Sequence, residues 1–283
     1  MTELLKIEQS DFKNKFPHEP FVIRHNLVGH PLLELPRLIG LASKIPPGSV
    51  EYNAGNIPVN LDPSKTPQTG LSIEETIQRI EECRSWMVLK NVEQDSEYSQ
   101  LLEDCLANVD VHSRSVLGEM SLKEGFIFIT SPNSVTPYHV DPEHNFLLQV
   151  RGDKTVHIWD PWDRTVVSEE ELEKFHEGNA HRNKEFHDRY KATEKAFLLH
   201  PGEGLHFPVT APHWVQNEDN VSISFSITFR SEYSERNRRL FKANATLRRK
   251  GLKPTPVGKS AFRDSSKDTF FRAVWKIQNM LGK

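Results

Sequence analysis

The chain has 283 residues, of which 36% are hydrophobic and 9% aromatic, a composition typical of a soluble globular protein. Its length predicts one large domain, or one domain with an appendage. No apolar run approaches the ~20 residues of a membrane span, and the first residues lack the pattern of a signal peptide. Cys83 and Cys105 are too few for a disulfide framework, so we expect a cytoplasmic protein.

Charge is distributed unevenly along the chain. From Arg230 to Lys283 there are 15 Lys+Arg and 4 Asp+Glu, a net charge of +11. The whole chain has 36 Lys+Arg and 39 Asp+Glu, so residues 1–229 contain 21 basic and 35 acidic residues, a net charge of −14. We expect the basic tail to be solvated, or to dock on its own acidic body or that of a sister subunit. Nucleic acid is the less favoured partner.

Short strand and helix patterns alternate in the first 110 residues. Ser72 and Glu75 form a capping-box pattern at the start of an amphipathic helix. The Pro- and Asn-rich stretch 46–70 predicts a surface loop, which we expect to lie over a site. The other predicted elements are a strand at 20–24, a helix within 30–43, a strand at 86–89 and a helix around 98–106.

From residue 125 onward short strands follow one another, as in a β-sandwich or jelly roll. The predicted strands cover 126–130, 146–150, 154–159, 196–199, 205–208 and 221–229. The last strand alternates apolar and hydroxyl residues, so one face should pack on the core and the other should line something polar. A two-residue hairpin turn is predicted at 152–153, which places Arg151 opposite Lys154 and Gln149 opposite Val156.

Three residues form a candidate metal site. His139 and Asp141 are one residue apart, so on an extended strand their side chains point to the same face and can meet one ion. We expect the third ligand to be His213, which lies in a Pro-His-Trp sequence just before the alternating strand. Two histidines and a carboxylate form the facial triad of non-heme iron(II) oxygenases. The H-x-D spacing alone is a weak signal, because chance produces it often.

The stretch His-Val-Asp-Pro-Glu-His-Asn-Phe-Leu-Leu-Gln-Val-Arg-Gly-Asp-Lys, from His139 to Lys154, strengthens this hypothesis. It resembles the core motif of JmjC-type, cupin-like oxygenases that depend on iron(II) and 2-oxoglutarate. The similarity is greatest to the asparaginyl hydroxylase of hypoxia-inducible factor and its bacterial cupin-like relatives. The segment 201–208, followed by Pro-His-Trp at 212–214, is similar to the family's approach to its second iron histidine. The resemblance covers residues from about 125 to 229.

The resemblance implies that one set of side chains holds Fe(II) and a second set holds 2-oxoglutarate. The implied metal ligands, and therefore the catalytic residues, are His139, Asp141 and His213. The implied cofactor-binding residues are Thr136 and Lys154 on the distal carboxylate, Asn145 beside the co-substrate, and Ser226 or Ser224 where the hypoxia enzyme has an Asn. We expect Ser226 to be the residue that takes the place of this Asn beside the co-substrate.

The resemblance also implies a mainly β fold with flanking helices, namely a double-stranded β-helix or cupin-like jelly roll. We expect an oxygenase domain at 1–230, with its core at about 111–230 and an N-terminal α/β layer at 1–110, followed by a basic C-terminal helical appendage at 231–283. The implied activity is that of a 2-oxoglutarate-dependent dioxygenase acting on a protein or peptide side chain. A metal-binding regulator without turnover and a small-molecule oxygenase are the alternatives. Demethylation is a variant of the same reaction.

The remaining histidines are not expected to bind the metal. We expect His144 and His157 at the surface or in loops, and His206 to be a weaker ligand candidate than His213. The histidines of the hydrophilic insertion, expected to be solvated, are His176, His181 and His187.

The C-terminal tail is predicted to form helices at about 232–250 and 267–281. In the second helix Phe270, Val274 and Ile277 recur at helical spacing, with Trp275 and Leu281 beside them. This apolar surface should be buried against the body or a second subunit. We therefore expect a homodimer in which residues 231–283 take part.

Overall fold

The computed structural model describes residues 3–62 and 65–280. In these residues the helices and strands alternate early and strands dominate later. The strands are β1 (Leu5–Lys6), β2 (Phe21–His25), β3 (Val50–Ala54), β4 (Ser85–Lys90), β5 (Ser121–Thr130), β6 (Val135–His139), β7 (His144–Arg151), β8 (Lys154–Ile158), β9 (Lys195–Leu199), β10 (Glu203–Phe207), β11 (His213–Asn217) and β12 (Ser222–Arg230). The helices are α1 (Gln9–Lys15), α2 (Leu35–Ala42), α3 (Ile73–Gln78), α4 (Ser96–Leu117), α5 (Glu169–Glu177), α6 (Glu232–Arg249) and α7 (Ala261–Met280).

Two antiparallel sheets form the body of the molecule. The larger has the order β1-β2-β10-β7-β12-β5-β4-β3, and the smaller has the order β6-β11-β8-β9. From β5 to β8, and again from β9 to β12, successive strands alternate between the two sheets, which is the arrangement of a jelly roll. The predicted mainly β, cupin-like fold with flanking helices is confirmed.

The predicted hairpin at 152–153 is wrong. β7 pairs with β10 and β12, whereas β8 pairs with β11 and β9, so Arg151 does not lie opposite Lys154, nor Gln149 opposite Val156. The turn instead carries the chain from one sheet to the other. Gly152 has a φ of +71°, and a Cβ at this position would lie 2.3 Å from the carbonyl oxygen of Val221. The glycine therefore serves a tight crossing between sheets.

Strand β12 separates an apolar core from a polar interior. Its Ile223, Phe225 and Ile227 are buried in the main hydrophobic core, together with residues of α2 and α4. The alternate residues, Ser224 and Ser226 among them, are also buried but face the space between the sheets. The predicted alternation of β12 is confirmed, and its polar face lines the candidate site.

The N-terminal part extends the larger sheet. The stretch 46–70, predicted to be a loop, contains strand β3, which pairs with β4 at the edge of the sheet. The predicted capping box of α3 is present, since Ser72 Oγ accepts from the Glu75 N–H and the Glu75 carboxylate accepts from the Ser72 N–H. Helix α4 buries one face against the sheet, including Tyr98 and Leu102.

The basic C-terminal helices pack on the acidic body of the same chain. Arg248 of α6 forms a fork with the buried Glu173 of α5, at 2.8 and 3.0 Å, and Arg249 pairs with Glu177. Such charge-assisted forks fix the orientation of α6. None of the helices among the described residues is both long and apolar enough to cross a membrane.

Helix α7 is only partly covered. Phe271 is buried, whereas Phe270 and Ile277 are 61% and 57% exposed. Within a single chain the apolar stripe is therefore only partly buried, so burial against a second subunit stays a prediction. Leu281 lies outside the described residues. The covered face is the one that meets α6, where Arg239 Nε donates to Asp268 at 2.7 Å.

Candidate metal and 2-oxoglutarate site

Three side chains from two strands and a loop meet between the sheets. His139 ends β6 and His213 begins β11, and the two residues are directly paired across the strands. The Nε2 atoms of His139 and His213 lie 3.6 and 3.7 Å from Asp141 Oδ2. The fold therefore brings together the three residues predicted from the sequence. One ion could be held by the two Nε2 atoms and Asp141 Oδ2.

Backbone hydrogen bonds set the tautomers of both histidines. His139 Nδ1 donates to the Pro137 carbonyl at 2.7 Å, and His213 Nδ1 donates to the Ala211 carbonyl at 2.9 Å. Each Nε2 is then left unprotonated and directed at Asp141, as metal ligation requires. Burial, aided by His139, lowers the pKa of His213 to about 3, and burial followed by Arg182 lowers the pKa of His139. Both rings are neutral near pH 7, which suits them to a divalent cation.

Asp141 forms an ion pair with Arg182, a residue that the sequence did not indicate. Arg182 Nη1 lies 3.2 Å from Asp141 Oδ1, so Oδ2 alone faces the histidines. Burial by itself raises the pKa of Asp141, but Arg182 and then His139 hold it below its ordinary value. Arg182 reaches this position because its segment runs beside β6, where the Val140 N–H donates to the Arg182 carbonyl. No local pattern marks this arginine, because it belongs to a hydrophilic insertion about 40 residues away.

Lys154 points into the same interior and has no partner there. It is 4% exposed, and within the described ranges no acceptor or carboxylate lies in reach of its Nζ. Burial lowers the pKa of its amine to about 7. Lys154 and Ile158 lie on the inward face of β8, and Ile158 pairs with His213. Lys154 and Ile158 are four residues apart, which corresponds to about 13 Å along the strand. A lysine side chain and a five-carbon dicarboxylate together span that distance, so the residues fit 2-oxoglutarate.

Thr136, Asn145 and Ser226 line the inner cavity as predicted. Ser226 Oγ donates to Asn145 Oδ1 at 2.7 Å, and both side chains are buried. Ser224, the alternative to Ser226, donates to Gln149 Oε1 instead and does not line the cavity. The geometry therefore favours Ser226 over Ser224 as the residue next to the co-substrate.

The interior consists of two connected cavities. A narrow inner cavity of about 60 Å³ contains the metal triad and Lys154. An outer cavity of about 310 Å³ shares Thr136, His139 and Arg182 with it and is lined by β3, β4 and the insertion. Sequence reasoning also missed Glu143, a partly buried carboxylate in the inner cavity whose pKa is raised to about 8 by burial and by Asp141.

Several of the other histidines lie in places that differ from those predicted from the sequence. His144 is fully buried in β7 rather than at the surface, and His157 lies in β8, stacked on Trp214. His206 is buried and bonds to a backbone carbonyl, away from the triad. His176 is not solvated, because it stacks on Phe241; burial and then Arg238 lower its pKa to about 3. Exposed His181 lines the outer cavity.

Two comparisons place the chain among solved and curated proteins. The crystal structure of E. coli ycfD superposes with a TM-score of 0.53 at 14% identity, covering 98% of this chain and 70% of that one. A second structure of YcfD, described as a ribosomal oxygenase from Escherichia coli in complex with cobalt and 2-oxoglutarate, has a TM-score of 0.52 at 13% identity, with 98% and 68% covered. These similarities establish a common fold.

Among curated proteins, lysine-specific demethylase 8 of Danio rerio is 29% identical over 101 residues. That match covers 34% of this chain and 24% of the zebrafish protein, so it spans about a quarter of the relative's length. The model of the cupin-like domain family matches residues 51–235, about two thirds of the chain. This range contains strands β4 to β12 and all the candidate site residues. The chain belongs to the cupin-like domain family.

Proposed function

We propose that this protein is an Fe(II)- and 2-oxoglutarate-dependent dioxygenase. The observation that carries the proposal is the pairing, in one cavity, of the metal triad with the unpartnered Lys154. A buried ammonium without a counterion is costly, so this cavity favours an anion. A dicarboxylate that also chelates a metal ion satisfies both features at once.

Each side chain has a distinct task in this proposal. The neutral Nε2 atoms of His139 and His213, with Asp141 Oδ2, hold Fe(II) on one side of the ion. Lys154 and Thr136 bind the distal carboxylate of 2-oxoglutarate, and Asn145 and Ser226 pack beside it. When bound, iron and 2-oxoglutarate would supply an oxidising chemistry that consumes molecular oxygen, with one oxygen atom going to succinate as carbon dioxide leaves and the other to the substrate. Arg182 keeps Asp141 ionised and bound through one oxygen.

A protein side chain is the preferred substrate, and hydroxylation is the preferred reaction. The outer cavity opens beside the edge strand β3 and is wide enough for a side chain approaching the metal. The names of the relatives, a ribosomal oxygenase and a lysine-specific demethylase, point to protein substrates for those proteins and support this choice. Demethylation is the reaction variant. Small-molecule oxidation and metal-dependent regulation without turnover are the rival functions.

Succinate formation separates these functions. We expect the Fe(II)-loaded protein to convert 2-oxoglutarate to succinate slowly on its own and faster with a peptide substrate. A Lys123→Ala protein is a matched control for a Lys154→Ala protein, because Lys123 pairs with Glu103 and lines neither cavity. Binding of metal and 2-oxoglutarate with no succinate at all would favour the regulatory function. Stimulation by small metabolites but by no peptide would favour the small-molecule oxygenase.

We also propose that the protein is a cytoplasmic homodimer in which residues 231–283 take part. Phe270 and Ile277 form an exposed apolar stripe on α7, flanked by the cations Arg272 and Lys276. A second copy offers an acidic body, since residues 1–229 carry a net charge of −14. Ile277→Asp with Phe270→Asp should give monomers by light scattering, whereas Val111→Asp, at an exposed apolar site on α4, should not. A monomeric wild-type protein would refute the dimer. Salt-sensitive binding of nucleic acid would indicate that the basic tail binds nucleic acid and not a second copy of the chain.

A further inference from the structure

The hydroxyl group of Thr136 accepts a hydrogen bond from the indole of Trp86. Trp86 lies in β4, and its Nε1–H donates to Thr136 Oγ1 at 2.9 Å. A threonine hydroxyl has one hydrogen and two acceptor lone pairs. Because one lone pair accepts from Trp86, the hydroxyl hydrogen is directed away from the indole. In the described part of the chain no acceptor takes that hydrogen.

This hydrogen can point into the inner cavity. Thr136 lines both cavities, and the inner one contains the Lys154 ammonium, the other donor without an acceptor. Two unsatisfied donors, one of them charged, form a site for a carboxylate. Accepting a hydrogen bond also polarises a hydroxyl and strengthens its own donation.

The indole ring is fixed by its surroundings. Trp86 pairs with Thr130 of β5 and with Asn53 of β3, and its ring packs on Phe128 at 5.8 Å between centroids. The ring lines the outer cavity but not the inner one, so it lies behind Thr136 as seen from the co-substrate. Trp86 therefore acts on the inner cavity only through the hydroxyl group that it holds.

We propose that Trp86 is a positioning residue for the co-substrate. Its N–H keeps the Thr136 hydroxyl oriented as a donor to the distal carboxylate of 2-oxoglutarate, opposite Lys154. This inference rests on the proposed function and adds to it a residue outside the co-substrate cavity. Loss of the Trp86 N–H should therefore weaken the binding of the distal carboxylate and leave the metal-chelating end of 2-oxoglutarate unaffected.

Binding of two ligands to Mn(II)-loaded protein, measured by calorimetry, tests the inference. The ligands are 2-oxoglutarate and 2-oxopentanoate, which has the same chelating end but no distal carboxylate. Trp86→Phe removes the N–H and keeps an aromatic ring, and it should weaken 2-oxoglutarate about fivefold, or ~1 kcal/mol, while leaving 2-oxopentanoate unchanged. In a Thr136→Val background the same substitution should have no further effect on 2-oxoglutarate.

The control is Trp214→Phe, because the Trp214 N–H has no partner and its ring stacks on His157. Equal weakening of both ligands by Trp86→Phe would indicate a merely structural wall, and an unchanged affinity for 2-oxoglutarate would remove Trp86 from the site. Trp86→Leu provides a second test of the same contrast if the phenylalanine variant does not fold. A wild-type protein that binds Mn(II) but not 2-oxoglutarate would instead overturn the proposed function, and this inference with it.

Discussion

Replacement of Lys154 by methionine should stabilise the free protein and reduce its stabilisation by 2-oxoglutarate. The side chains have similar length, so the change removes the charge and keeps the packing. Burial lowers the pKa of this amine from 10.5 to about 7. At about 1.4 kcal/mol per pKa unit, the burial of the charged form costs at most roughly 5 kcal/mol. We expect Lys154→Met to recover a few kcal/mol of this cost at pH 7, since relaxation of the surroundings reduces the penalty for a buried charge.

The same substitution should weaken co-substrate binding. A hydrogen bond to a charged group contributes about 1.5–3 kcal/mol, which corresponds to roughly ten- to 150-fold in Kd. The carboxylate raises the pKa of the amine when it binds, so the contribution of Lys154 to wild-type affinity should be full below pH 7 and should fall as the pH rises above it. The methionine variant should lack this pH dependence.

The linkage to folding has the opposite sign. Because the pKa in the folded state is lower than in the unfolded chain, the unfolded chain binds more protons between pH 7 and 10.5. The contribution of Lys154 to the stability of the free protein therefore rises with pH in this window. Chemical denaturation and calorimetric titration, with Lys123→Met as the control, measure both effects. A less stable free variant, or an unchanged Kd for 2-oxoglutarate, would refute the reasoning.

Three further outcomes are expected. Arg182→Ala should weaken Mn(II) binding about tenfold, more at pH 6 than at pH 7.5, because the pKa of Asp141 rises when its cation is lost; equal affinity at both pH values would contradict this. Ser226→Ala should weaken 2-oxoglutarate several-fold, because Asn145 loses a donor, and a larger loss from Ser224→Ala would reverse the assignment. Ser168→Ala, at the cap of α5, should lower stability by about 1 kcal/mol in thermal denaturation, and no change would exclude the cap as a stabilising contact.

The metal ligands were predictable because their geometry is local. The H-x-D spacing places His139 and Asp141 on one face of the chain wherever it is extended, and the polar alternation of β12 identified the interior face. The Pro-His-Trp sequence ahead of the alternating strand indicated His213 as the third candidate, and the family resemblance assigned Lys154 to the co-substrate. The domain boundaries proposed at 110 and 230 stay a prediction.

The errors came from contacts between distant segments. A two-residue Gly-Asp turn suits a hairpin, but here it carries the chain between sheets, and only the packing of Gly152 against Val221 distinguishes the two. Arg182 reaches Asp141 because its segment pairs beside β6, and Trp86 of the larger sheet reaches Thr136 of the smaller sheet. Such pairs leave no trace in a local pattern.

The central claim is that His139, Asp141 and His213 hold iron for 2-oxoglutarate turnover. Anaerobic calorimetric titration with Fe(II) and then 2-oxoglutarate, followed by admission of oxygen and measurement of succinate, tests it most directly. We predict one Fe(II) per chain, 2-oxoglutarate binding that requires the metal, and succinate formation that is lost in His139→Ala together with Fe(II) binding. Wild-type protein that binds no Fe(II), or a His139→Ala protein that binds Fe(II) and forms succinate as the wild type does, would contradict the claim.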